Sequence, residues 1–159
     1  MKKLSIVSAI CGLALAGPVY AANITIYYSP TCPHCHHARE FISNSLIYEY
    51  PNLTVSEVNV MESANYPMFQ DALKKCEYES GGVPVMVVGD KCFQGYADFM
   101  QKDLREAIED DLSDADKETA AANKKAIEEN ADKFKQEHAD RASAISEYTA
   151  ASTDEAKKK

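Results

Sequence analysis

The sequence predicts an α/β domain in the order β-α-β-α-β-β-α, a mixed four-stranded sheet with helices on both faces, followed by a C-terminal helical extension. Three observations carry this. Between residues 23 and 112, β-branched runs alternate with segments whose apolar residues recur every three or four positions. Gly89-Asp90 joins two short strand-like runs as a hairpin turn, and from Ser113 onward glycine and proline disappear.

Residues 1–21 read as a secretory signal. Lys2 and Lys3 form a positive start, Leu4 to Ala16 an apolar stretch, and Val19-Tyr20-Ala21 has small residues spaced for cleavage. The apolar stretch falls well short of the ~20 residues needed to span a bilayer. Residues 22–112 then form the domain and 113–159 the extension. The chain carries a formal charge of −8, and losing Lys2 and Lys3 makes it more acidic. Nucleic-acid binding is not expected, because phosphate contacts need clustered Lys and Arg.

Ile24-Thr25-Ile26-Tyr27-Tyr28 reads as a strand ending in the Ser29-Pro30-Thr31 turn. A helix follows from Pro33 to about Tyr48, with Cys35, Ala38, Ile42 and Leu46 on one face. Leu53 to Val60 holds two alternating pairs, Leu53/Val55 and Val58/Val60, whose phase slips by one, predicting a bulge or frayed end. Asn65 can cap a second helix with Pro67 in its first turn and Met68, Phe69, Ala72, Leu73 and Cys76 on one face, ending before Gly81-Gly82. Val85 to Val88 is a strand buried on both faces, Lys91-Cys92-Phe93 its hairpin partner, and Ala97 to about Asp110 a third helix.

The extension should begin at a Ser113 cap and run as a long exposed helix, its last residues through Lys157-Lys158-Lys159 frayed. Ile127, Ala131, Phe134, His138, Arg141, Ile145 and Tyr148 form a broken apolar seam. The seam suits either packing back on the domain or homo-oligomer formation through residues 113–150.

Cys11 leaves with the signal, so the exported chain holds Cys32, Cys35, Cys76 and Cys92, an even set suited to disulfide chemistry. Cys32 falls at a helix N-terminus, where unpaired N–H groups and the helix dipole stabilise a thiolate. His34, between the cysteines in the first turn, adds a donor or a positive charge. Cys35 lies one helical turn on and can resolve a mixed disulfide.

Cys32-Pro33-His34-Cys35 after a strand, with Gly82-Val83-Pro84 ahead of the hairpin, resembles the thioredoxin superfamily over residues 23 to about 112. The resemblance implies that Val83–Pro84 is a cis peptide facing the cysteines, its backbone docking substrate. The compact layout and the stretch on to Gly95-Tyr96-Ala97-Asp98 are similar to glutaredoxins. The Cys-Pro-His-Cys motif and the valine before the proline are similar to the DsbA family of periplasmic disulfide oxidants, although there is no room for that family's helical insertion. Gln94-Gly95 stands where glutaredoxins usually carry two glycines, and Ser29-Pro30-Thr31 where they carry a basic residue, which argues against glutathione binding.

Cys76 and Cys92 flank the same predicted strand. A structural bridge is favoured, with a second redox pair or buried free thiols as alternatives. Cys32 to His36 also fits the C-x-x-C-H haem-attachment pattern, and His34, His36 and His37 with two cysteines could bind copper or zinc. The surrounding strand-turn-helix and Pro84 weigh against haem, and His36 and His37, which on a helix point in different directions from the cysteines, weigh against a metal site.

The expected function is periplasmic thiol-disulfide exchange, in the oxidising direction, with Cys32 attacking and Cys35 resolving, Pro33 and His34 tuning them, and no cofactor beyond that disulfide and no metal. Partners would be cysteine-containing exported proteins and a membrane-bound protein that resets the site. The alternatives are an isomerase or reductase assembled through the C-terminal helix, and a Cys/His metal-binding module.

Overall fold

The structure, a computed structural model, describes residues 22–149. The expected signal segment 1–21 and the end of the chain with Lys157-Lys158-Lys159 lie outside the described residues. Strand β1 (Asn23–Tyr28) leads into α1 (Pro33–Phe41), which continues through a wider π-helical stretch, Ile42–Leu46, into a last turn α2 (Ile47–Glu49). β2 (Thr54–Asn59), α3 (Tyr66–Lys75), β3 (Val85–Val88), β4 (Lys91–Gln94) and α4 (Gln101–Glu109) complete the predicted order.

The sheet has five strands where four were expected. Its order is β4-β3-β1-β2-β5, with β5 (Ile145–Glu147) supplied by the extension and parallel to β2. β1 pairs parallel with β2 and antiparallel with β3. Side-chain alternation divides the core between the two faces. Ile24, Ile26 and Tyr28 join Ala38, Phe41, Leu104 and Ile108 on the side of α1 and α4, whereas Tyr27, Val58 and Val85 pack on Phe69, Ala72 and Leu73 of α3.

Of the bulge or frayed end expected in β2, the bulge is not formed, and the strand leaves Leu53 and Val60 just outside its ends. Its register with β1 runs unbroken from Asn23↔Thr54 to Tyr28↔Asn59. Leu53 and Val55 face the α1 layer and Val58 and Val60 the α3 layer. The phase slips because the next inward place is taken by Glu57, a buried carboxylate that accepts from Arg39 Nε at 2.9 Å and Nη2 at 2.6 Å. α3 ends at Lys75 with Cys76 as its cap, before Gly81-Gly82 as expected. Glu77, at φ 57°, takes the left-handed position usual for glycine, and its N–H and that of Tyr78 donate to the carbonyls of Lys74 and Leu73.

The extension is not one exposed helix. Ser113 caps α5 (Asp114–Glu137), its Oγ accepting from the N–H of Asp116. Asn130 then leaves helical geometry and caps the following turn through the N–H of Lys133 at 3.1 Å. After Glu137 a 3-10 stretch, Ala139–Ala144, leads into β5. The extension packs back on the domain, as one of the two readings of the seam expected. Asn123 donates to the carbonyl of Glu49 at 3.1 Å, and Arg141 to the carbonyls of Ile47, Tyr50 and Leu53 at 2.9, 3.2 and 2.7 Å. Arg141 interrupts the apolar seam because it satisfies carbonyls at the end of α2 and in the turn that follows it, which have no helical partner.

Burial raises the pKa of Tyr27, Tyr28, Tyr50, Tyr78 and Tyr96, and pushes Tyr28 up to about 12. The folded chain therefore holds protons that the unfolded chain releases above a pH of about 10. Stability present below that pH is lost as pH rises toward the folded-state values. A guanidinium midpoint series between about pH 9 and 11.5 should fall with pH, and fall less steeply in Tyr50→Phe. A flat series in the parent chain would show that these hydroxyls ionise equally in both states.

Candidate active site

Cys32 is the N-cap of α1, with φ −92° and ψ 114°, and Pro33 follows at the first turn, where its missing N–H costs nothing. The N–H of Cys32 donates to Ser29, and that of His36 to the Cys32 carbonyl, each at 3.1 Å. This places the Cys32 sulfur over the open end of the helix, where the N–H of Cys35 donates to it at 3.1 Å. A hydrogen bond and a helix dipole both directed at this sulfur favour its thiolate form. Cys32 and Cys35 are joined in a disulfide. Cys32 is half-buried and Cys35 only 1% exposed, so an attacking thiolate can reach the first sulfur and not the second.

The Val83–Pro84 peptide is cis and lies opposite. The Val83 carbonyl oxygen stands 3.5 Å from Cys32 Sγ, the separation at which a reduced thiol would donate to it. Pro84 is buried and Val83 half-buried. Pro33 and His34 are exposed on the rim beside the cysteines. His36 and His37 turn toward Glu40 on the outer face of α1, at 3.2 and 3.6 Å. Among the described residues, no group of three or more His, Cys, Asp or Glu side chains converges as a metal set.

Cys76 and Cys92 form a second disulfide, joining the end of α3 to edge strand β4 across β3. The mapping of these cysteines onto helix end and edge strand matches the reading of the sequence. Less legible was the network under α1. Arg39 pairs with Glu57 and stacks on the Tyr28 ring at 4.2 Å, while the Tyr28 hydroxyl donates to Glu147 of β5 at 2.8 Å. Its one signal in the sequence is the acidic residue interrupting the alternation of β2.

The glutaredoxin family model matches residues 24–93. Two solved structures are similar: a glutaredoxin from Archaeoglobus fulgidus and the oxidised form of mitochondrial thioredoxin 3 from Saccharomyces cerevisiae. The first is 24% identical, covering 55% of this chain and 86% of that one with a TM-score of 0.41. The second is 22% identical, covering 57% of this chain and 78% of that one with a TM-score of 0.39. No curated protein gives a significant match. Residues 24–93 form a glutaredoxin-like domain, and with its helix-capping Cys32–Cys35 pair the chain is a thiol-disulfide oxidoreductase.

Proposed function

We propose that this oxidoreductase is a periplasmic disulfide donor to exported proteins, comparable to the DsbA family, with no cofactor beyond its own Cys32–Cys35 bond. A client thiolate attacks Cys32 Sγ, the Cys32–Cys35 bond breaks, and Cys35 leaves as a thiolate. A second client thiolate then attacks the client sulfur of the mixed disulfide, releasing reduced Cys32 and an oxidised client. Two electrons pass to the enzyme, and a membrane-bound oxidant restores the bond. The observation that carries this is the position of Cys32 Sγ, which accepts the Cys35 N–H at the helix end while Cys35 is buried. Thiolate stabilisation of that kind makes the reduced enzyme favourable and the disulfide oxidising.

Val83 and Pro84 present the backbone on which an extended client docks, and Pro33 and His34 tune the sulfur from the rim. The Cys76–Cys92 bridge is structural. The N-terminal charge and apolar pattern, with an even set of four cysteines after residue 21, supports export.

The reduction potential of the Cys32–Cys35 pair tests the direction. A value near about −120 mV is expected for a donor, whereas one below about −200 mV would assign a reductase or isomerase kept reduced by a partner.

A further inference from the structure

We propose that Gln94 is a positioning residue for client docking, acting through the backbone around Val83; the inference rests on the exchange function proposed above. The segment that carries Val83, residues 77–84, has no helix or strand of its own. An unsupported stretch of this kind would present its carbonyls in many directions, and ordering it only when a client arrives would weaken binding.

The Gln94 side chain supplies the missing support. Its Nε2 donates to the carbonyl of Ser80 at 2.8 Å and to that of Gly82 at 3.1 Å. A Cβ placed on Gly82 would stand 3.5 Å from the same nitrogen, so the amide lies directly against the segment. One residue on, the N–H of Gly95 donates to the carbonyl of Pro84 at 2.8 Å. The carbonyls of 80, 82 and 84 are thus held from the β4 side, while that of Val83 faces Cys32 Sγ at 3.5 Å.

Gln94 is itself anchored. It ends β4, where it pairs with Val85, and β4 is fastened to α3 by the Cys76–Cys92 bridge. The side chain therefore transmits the position of a sheet edge to the face that receives the client. Gln94 touches neither sulfur, so its contribution falls on binding and not on the exchange step. Glutamate at 94 keeps the shape but loses both N–H donors and directs a carboxylate at two carbonyls. Leucine removes the polar group entirely.

The test compares the parent chain with Gln94→Glu and Gln94→Leu, all with both disulfides formed, in oxidation of a synthetic dithiol peptide and of dithiothreitol. Both variants should raise the peptide KM about tenfold, the effect of roughly one lost hydrogen bond's free energy on binding. The peptide kcat and the dithiothreitol rate should stay within about twofold of the parent. Unchanged peptide KM in Gln94→Glu overturns the assignment, as does a parallel fall in peptide and dithiothreitol rates, which would mean general damage. Failure of the parent chain itself to oxidise the peptide would instead overturn the exchange reading, and the positioning role with it.

Discussion

Cys32→Ser is expected to abolish oxidation of a dithiol peptide, by roughly 10⁴-fold or to background, while leaving the fold intact. Cys32 is the sulfur that faces solvent, and its hydroxyl replacement can form no disulfide with Cys35. Cys35→Ser should behave differently. Its Cys32 thiolate, still held by the N–H of residue 35 at the helix end, can attack a peptide disulfide, but no second thiol follows. Covalent mixed disulfides should then accumulate and be visible as a mass increase on a non-reducing gel. Cys76→Ser and Cys92→Ser should trap nothing and retain exchange, because that bridge sits between α3 and β4 and not at the helix end. Trapping through Cys76 or Cys92, or turnover surviving in Cys32→Ser, would place the active pair elsewhere.

Arg105→Met should cost the fold about 3–5 kcal/mol. Arg105 of α4 donates through Nε and Nη2 to the two carboxylate oxygens of Glu49, at 2.7 and 2.8 Å, and lies over the Phe41 ring. The Glu49 side chain is 4% exposed and that of Arg105 20%. Removing the arginine therefore strands a carboxylate with no solvent to receive it, whereas removing the glutamate leaves a guanidinium that can turn outward. Glu49→Leu should cost about half as much, and the Arg105→Met/Glu49→Leu double variant should be more stable than Arg105→Met alone. Guanidinium midpoints at neutral pH measure all three. If Arg105→Met costs less than about 1 kcal/mol, or if the double variant is the least stable, the pair is not a buried ion pair in solution.

The two ion pairs explain why the helix after Cys32 is set so firmly. Arg39 and Glu57 join α1 to β2, and Glu49 and Arg105 join α2, which continues α1, to α4. Neither partner of either pair was legible as such in the sequence. Their separations, 18 and 56 residues, are fixed by how strands and helices stack, and charge alone does not say which acid meets which base. The same holds for Gln94. Its sequence signal was only a departure from two glycines, and its partners at Ser80 and Gly82 emerge when the loop folds back beside β4.

What the sequence determined by itself was local. β-branched runs made β1 and β3, three- and four-residue spacing made α1, α3 and α4, Gly89-Asp90 turned the hairpin, and Pro33 after Cys32 set that sulfur at a helix start. These follow from periods and turn preferences that act over a few residues. Tertiary structure decided the rest. Ile145–Glu147 has the apolar spacing of a helix but becomes a fifth strand, because the open edge of β2 offers backbone partners that no neighbour in sequence can supply. Arg141, out of place in an apolar seam, is in place once the end of α2 and the turn into β2 bring it three carbonyls. Long-range hydrogen-bond demand, which periodicity does not encode, turned the expected exposed helix into part of the domain.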